Sequence, residues 1–246
     1  MAYTSVADDE VARFTALADQ WWDPTGDFAP LHKINPVRLE FIRNHLCELA
    51  GNNPESPMPL VGLDILDIGC GGGLLCEPLC RLGACVTGID AGEKNINIAA
   101  NHANRMGLDV TYRRMSPEDA VVDGQQYDVV LNMEVIEHVP NTKVFLEACG
   151  ALVKPGGVLF GATLNRTLKS LVFAKIGAEY VLRWLPRGTH NWRAFVKPSE
   201  FSGLLRQNGF DVKDLRGVVY NPLFDEWALG RDLSVNYLLF AVKSSR

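Results

Sequence analysis

Leu66-Asp67-Ile68-Gly69-Cys70-Gly71-Gly72-Gly73 is the stretch on which the fold turns. A short apolar strand runs into a cluster of glycines, residues that let a backbone turn sharply or approach a ligand closely. A second apolar run, Cys85 to Asp90, ends in an acid 21 positions after Gly69. In a doubly wound sheet the turn after the first strand and a carboxylate after the second form a nucleoside site, the acid accepting the ribose hydroxyls. Glycines also cap helices and make ordinary turns. The ordered set of strand, turn, helix and acid therefore carries the reading.

Outward from this turn, short apolar runs alternate with helical stretches, the signature of βαβ units and a parallel sheet. The expected strands are Asp64 to Ile68, Cys85 to Asp90, Val110 to Met115, Tyr127 to Asn132 and Val158 to Thr163. Helices are expected over Leu75 to Leu82, Glu93 to Met106 and Lys143 to Leu152, with Lys154-Pro155-Gly156-Gly157 as the turn into the fifth strand. Val212 to Tyr220 and Val235 to Lys243 complete a mostly parallel seven-stranded α/β sheet with an antiparallel edge.

Upstream, Asp8 to Ala18 and Pro36 to Leu49 read as helices, Pro36 standing at a first helical position. A loop rich in Asn and Pro, Gly51 to Pro59, separates them from the core. The expected division is an N-terminal helical cap over 1–59 and a catalytic domain over 60–246, with 164–200 inserted after strand five, the whole functioning as a single domain.

At 246 residues, 47% hydrophobic and 22% charged, the chain can bury one substantial core. A net charge of −5 supplies no general field for nucleic acid, so no nucleic-acid partner is expected. No secretory leader is visible and no apolar run approaches the roughly 20 residues that span a bilayer, so the expected location is the cytoplasm. The six cysteines form no Cys-x-x-Cys pair and are expected to be reduced.

Asp67-x-Gly69-x-Gly71 resembles the first motif of class I S-adenosylmethionine-dependent methyltransferases, and Lys154-Pro155-Gly156-Gly157 resembles their turn before strand five. A carboxylate at Asp67 suits the ammonium of a methionine half and would repel a dinucleotide's pyrophosphate. S-adenosylmethionine is therefore the expected cofactor, with Ser116-Pro117-Glu118 at its adenine edge by the same resemblance. A nicotinamide oxidoreductase and a non-catalytic cofactor-binding scaffold are the rival readings.

Over nearly its whole length the chain resembles the bacterial and mitochondrial ubiquinone-biosynthesis O-methyltransferases. Three blocks carry this: Trp21-Trp22-Asp23-Pro24 with Pro30-Leu31-His32-Lys33-Ile34-Asn35-Pro36-Val37-Arg38; Asn132-Met133-Glu134-Val135-Ile136-Glu137-His138-Val139; and Gly177-Ala178-Glu179-Tyr180 through Pro186-Arg187-Gly188-Thr189-His190. The resemblance implies methylation of ring hydroxyls on polyprenylated catechol-like precursors at two steps. It implies cofactor contacts at Arg38, Gly69, Asp90 and Met133, which Gly71 in the same turn joins.

Methyl transfer to a hydroxyl needs a group to take the proton, and Glu134, Glu137 and His138 follow strand four. Their i, i+3, i+4 spacing puts all three on one face of a helical turn. That face suits a divalent cation such as Mg2+, which the resemblance also implies for some members. Alternatively His138 acts as base, with Glu134 beside it. Residues 168–185 mix Leu171, Val172, Phe173, Ile176 and Trp184 with Lys169, Lys175 and Arg183. This fits a helix in a membrane interface or a cover over the substrate pocket. Contact with the inner membrane and with other ubiquinone-biosynthesis enzymes is the corresponding expectation.

Overall fold

The computed structural model of the chain describes residues 5–172, 192–221 and 223–245. Eight strands form one sheet: β1 Asp64–Ile68, β2 Cys85–Asp90, β3 Val110–Arg114, β4 Tyr127–Met133, β5 Val153–Leu164, β6 Phe210–Asn221, β7 Glu226–Gly230 and β8 Asn236–Lys243. Their order is β3-β2-β1-β4-β5-β8-β6-β7. The first five run parallel, and β8, β6 and β7 pair antiparallel. Order reverses between β1 and β4, so the loops after these two strands flank the crevice where doubly wound sheets bind ligands.

Alternate residues of each strand feed opposite faces, as a period of two demands. Ile65, Val129, Leu131 and Phe160 join one buried cluster, and Leu66, Val130 and Leu159 the other. Both faces are covered by helices: α1 Asp8–Leu17, α2 Ala29–Ala50, α3 Cys76–Arg81, α4 Glu93–Arg105, α5 Pro117–Val122, α6 Thr142–Leu152, the single turn α7 Leu168–Ser170 and α8 Pro198–Gln207.

Several expectations are corrected. The sheet has eight strands among the described residues, because β6 turns back through Asp225 (φ 53°) to pair with β7. Helix α2 starts at Ala29 and carries Pro36 inside it. Pro30 supplies the early-helix proline instead. Nor is α2 an appendage to the core: Phe41, Ile42 and Leu46 sit in the same cluster as Ile65 and Phe160. Lys154 to Gly157 do not precede β5 but bulge from it, where the β4 register passes from Tyr127↔Val153 to Val129↔Val158. Lys154 there pairs with Asp64 at 3.2 Å and Asp128 at 3.0 Å. None of the described helices is long and apolar enough to cross a membrane. Residues 173–185 of the membrane-interface segment and the block Gly177 to His190 lie outside the described residues.

Candidate active site

The turn after β1 takes its shape from glycine. Gly69, Gly71 and Gly73 have φ of 69°, 54° and 85°, a region costly for any residue with a Cβ. The backbone N–H groups of Gly69 and Cys70 both donate to the Ile89 carbonyl, at 2.8 and 3.0 Å, and dock the turn against the end of β2. The protein's own side chains crowd these glycines. A Cβ on Gly71 would lie 2.3 Å from Trp21 Cζ2, one on Gly72 2.4 Å from Trp21 Cβ, and one on Gly69 2.5 Å from Val135 Cγ2. At Gly71 and Gly72 the close approach is made by the N-terminal segment, and at Gly69 by Val135 from the loop after β4. Trp22 adds a hydrogen bond from Nε1 to the Gly72 carbonyl at 3.0 Å.

Asp90 closes β2 in the expected place. Its Oδ1 accepts from the Gly92 N–H at 2.7 Å and from Asn95 Nδ2 at 3.1 Å, and its Oδ2 accepts from the Gly71 N–H at 3.1 Å. Burial raises its carboxyl above the usual carboxylate range, and these three donors oppose the rise. Asp67 is buried more completely, and burial pushes its carboxyl up to about 7 despite a hydrogen bond from the Cys76 thiol at 3.2 Å and the charge of Arg38. Ser116 caps α5 in a capping box with Asp119, and Glu118 accepts from the Ser5 N–H at 3.2 Å.

Arg38 points from α2 into the crevice and donates through Nη2 to Glu134 Oε1 at 2.8 Å. Its buried Nε has no hydrogen-bond partner among the described residues. Met133, at the end of β4, is half-buried against the core and lines the same cavity.

The single helical face expected for Glu134, Glu137 and His138 does not form. Glu134 is left-handed at φ 59°, and Ile136–His138 is a 3-10 turn, so Glu134 and Glu137 stay side by side while His138 turns away from them. Glu137 is buried and accepts from Thr163 Oγ1 at 2.8 Å; burial and the neighbouring Glu134 carboxylate hold its carboxyl well above the usual range. His138 turns the other way and pairs through Nδ1 with Glu10 Oε2 of α1 at 2.8 Å, with Phe14 edge-on to its ring. Among the described residues no group of three or more His, Cys, Asp or Glu side chains is arranged to hold a metal ion.

Gly69, Gly71, Asp90, Arg38, Met133, Glu134, Glu137 and His138 nevertheless line one cavity of about 1190 Å³. Residues of α1 also line it, as do Leu164 from β5, Val218 and Tyr220 from β6 and Trp227 from β7, with Lys169, Asp232 and Asn236 as polar neighbours. The residues missed from the sequence are Glu10, Trp21 and Asn95. The tryptophan pair stood out as a block, and Asn95 lies in the first turn of the helix after the β2 acid. Glu10 gives no signal, because an amphipathic helix does not say which loop it will face.

The sequence matches the family described as "Methyltransferase domain" over residues 37–215. Among solved structures, the magnesium protoporphyrin IX methyltransferase from Synechocystis PCC 6803 with bound SAM superposes with a TM-score of 0.64. It covers 98% of this chain and 100% of that one at 20% identity, a likeness of fold. The ubiquinone biosynthesis O-methyltransferase of Sinorhizobium fredii is 52% identical over 98% of this chain and 97% of that protein. Those of Agrobacterium fabrum and Paramagnetospirillum magneticum are 52% and 53% identical, over 98% and 96% of this chain and 96% and 94% of theirs. At half identity over essentially the full length, the chain belongs to the ubiquinone biosynthesis O-methyltransferase family.

Proposed function

We propose that this chain transfers the methyl group of S-adenosylmethionine to ring hydroxyls of polyprenylated catechol-like precursors, at two steps of ubiquinone biosynthesis. The observation that carries the reading is the one cavity lined by the glycine turn, Asp90, Arg38 and His138 together with the apolar side chains of Leu164, Val218 and Trp227. S-adenosylmethionine supplies an electrophilic methyl on a sulfonium, which the acceptor oxygen displaces in line.

The residues present fit that cofactor. Arg38 has a buried Nε donor without a partner, which a carboxylate would complete. Burial pushes the Asp67 carboxyl up to about 7, and an amino-acid ammonium beside it would favour its charged form. Asp90 has acceptor capacity beyond its three donors for the hydroxyls of a ribose.

For the acceptor, His138 is the base. His138 Nδ1 lies 2.8 Å from Glu10 Oε2, an oxygen that Arg13 also approaches at 2.6 Å; on this reading the carboxylate favours a proton on Nδ1 and leaves Nε2 to take the hydroxyl proton. Glu134 is occupied by Arg38, so it positions the guanidinium. The apolar lining of Leu164, Val218 and Trp227 suits a prenylated ring. Glu134, Glu137 and His138 do not fit a divalent ion as they stand. Contact of residues 168–185 with the inner-membrane surface, and with neighbouring enzymes of the pathway, belongs to the same proposal. Leu168 and Val172, the apolar residues of that segment exposed within the described part, are its support.

Calorimetry with S-adenosylhomocysteine and with NAD, followed by mass spectrometry of a catechol analogue incubated with S-adenosylmethionine, tests the reading. Binding of the homocysteine product and a mass gain of one methyl group are expected. NAD binding in its place, or bound cofactor with no methylated product, would overturn it in favour of an oxidoreductase or a scaffold.

A further inference from the structure

Four residues close a ring around the cofactor acid. Trp21 lies flat on Gly71 and Gly72 and stacks on Phe28, ring centroids 3.8 Å apart and 3° from parallel. Its Nε1 donates to Asn95 Oδ1 at 3.0 Å. Asn95 Nδ2 donates to Asp90 Oδ1 at 3.1 Å, and the Gly71 N–H donates to Asp90 Oδ2 at 3.1 Å. Trp21 and Asn95 are 7% and 2% exposed, so water does not compete for these bonds.

The chemistry of the ring runs one way. Indole N–H can only donate, so it fixes the oxygen end of the Asn95 amide toward Trp21 and the NH2 end toward Asp90. With the amide flipped, its oxygen would face the carboxylate and repel it. We infer that Asn95 is a positioning residue for the cofactor acid Asp90, and that Trp21 sets the orientation of Asn95. The N-terminal segment is thereby part of the cofactor site: seating Trp21 on the glycine turn and presenting Asp90 to a ribose are the same event. This rests on the reading of the chain as an S-adenosylmethionine enzyme.

The linkage is reciprocal, since a ligand that prefers the assembled ring must favour the docked segment by the same factor. Trp21→Phe keeps an aromatic ring on Phe28 but removes the N–H together with the indole atoms that lie on Gly71, whereas Asn95→Ala removes the whole bridge and leaves the tryptophan in place. S-adenosylhomocysteine affinity measured by calorimetry is expected to fall about fivefold in Trp21→Phe, the scale of one net hydrogen bond, and about tenfold in Asn95→Ala. The double variant is expected to bind no more weakly than Asn95→Ala alone, because the tryptophan acts through the asparagine. The KM for S-adenosylmethionine is expected to rise by more than kcat falls, and added S-adenosylmethionine to recover part of the lost rate, a split that a general loss of structure would not give.

Wild-type affinity in Asn95→Ala, or additive losses in the double variant, would overturn the inference while leaving the methyltransferase reading intact. Failure of the unaltered protein to bind S-adenosylhomocysteine would sink both.

Discussion

Arg38 Nη2 and Glu134 Oε1 lie 2.8 Å apart across 96 residues of sequence, joining α2 to the loop after β4. The arginine side chain is 7% exposed and the glutamate 22%, so solvent screens the pair poorly. Glu134 reaches it from a left-handed backbone, and Glu137 stands beside Glu134 as a buried carboxyl that burial and this neighbour hold well above the usual range. One guanidinium thus balances the charge of a two-carboxyl cluster at the switch point of the sheet.

Removing that balance has a defined cost. Arg38→Met leaves Glu134 without a counter-charge, and breaking one side of a buried pair costs about 3 kcal/mol. Urea unfolding should show a loss of that order, and calorimetry a loss of S-adenosylhomocysteine affinity beyond tenfold, about 1.4 kcal/mol. Unchanged affinity would mean that Arg38 serves the carboxylate cluster alone.

Asp67 makes stability depend on pH. Its folded carboxyl titrates at about 7 against an ordinary value of 3.8, so between these limits the native state binds more protons than the unfolded state. The sign follows: this contribution is fully present below pH 3.8 and is lost as pH rises through about 7. At one unit per roughly 1.4 kcal/mol the window is worth on the order of 4 kcal/mol. Asp67→Asn removes that titration. Unfolding free energies of the two proteins, measured from pH 4.5 to 8, should diverge in favour of the variant as pH rises, and parallel curves would refute the assignment.

The Glu10 carboxylate, 2.8 Å from His138 Nδ1, is expected to favour a proton on that nitrogen. Glu10→Ala removes the acceptor on Nδ1, whereas Glu10→Gln keeps an acceptor oxygen. Orienting a general base contributes within the roughly 100-fold to 10,000-fold range of acid–base catalysis. We expect kcat to fall more than tenfold in Glu10→Ala, with Glu10→Gln intermediate and S-adenosylhomocysteine affinity unchanged. Long-range nitrogen–proton NMR of the imidazoles should find the His138 proton on Nδ1 in the unaltered protein. A proton on Nε2 there would contradict the pairing.

Lys154 is a control. Its ion pairs with Asp64 and Asp128 join side chains that are each about a third to a half exposed, and such pairs are worth at most about 1 kcal/mol. Lys154→Met should therefore shift the unfolding midpoint slightly and leave methyl transfer untouched. A large loss of kcat would show that the bulge in β5 reaches the site.

The five parallel strands, the glycine turn between Asp67 and Gly73 and the acid at Asp90 are legible in the residues alone. These are local: a period of two, a short apolar run or a left-handed glycine reports its own backbone wherever it lies in the chain. The boundaries blurred where local preference is weak, as at Pro36, which lies inside α2, and at Lys154 to Gly157, which bulge within β5. Only the tertiary structure decided what meets the turn. Trp21 lies on Gly71, Asn95 bridges Trp21 to Asp90, Arg38 finds Glu134, and Glu10 finds His138. The helical spacing of Glu134, Glu137 and His138 misled because one left-handed residue and a 3-10 turn redirect the side chains. Contacts between residues far apart in the chain depend on how helices settle on the sheet, and no periodicity in the sequence encodes that placement.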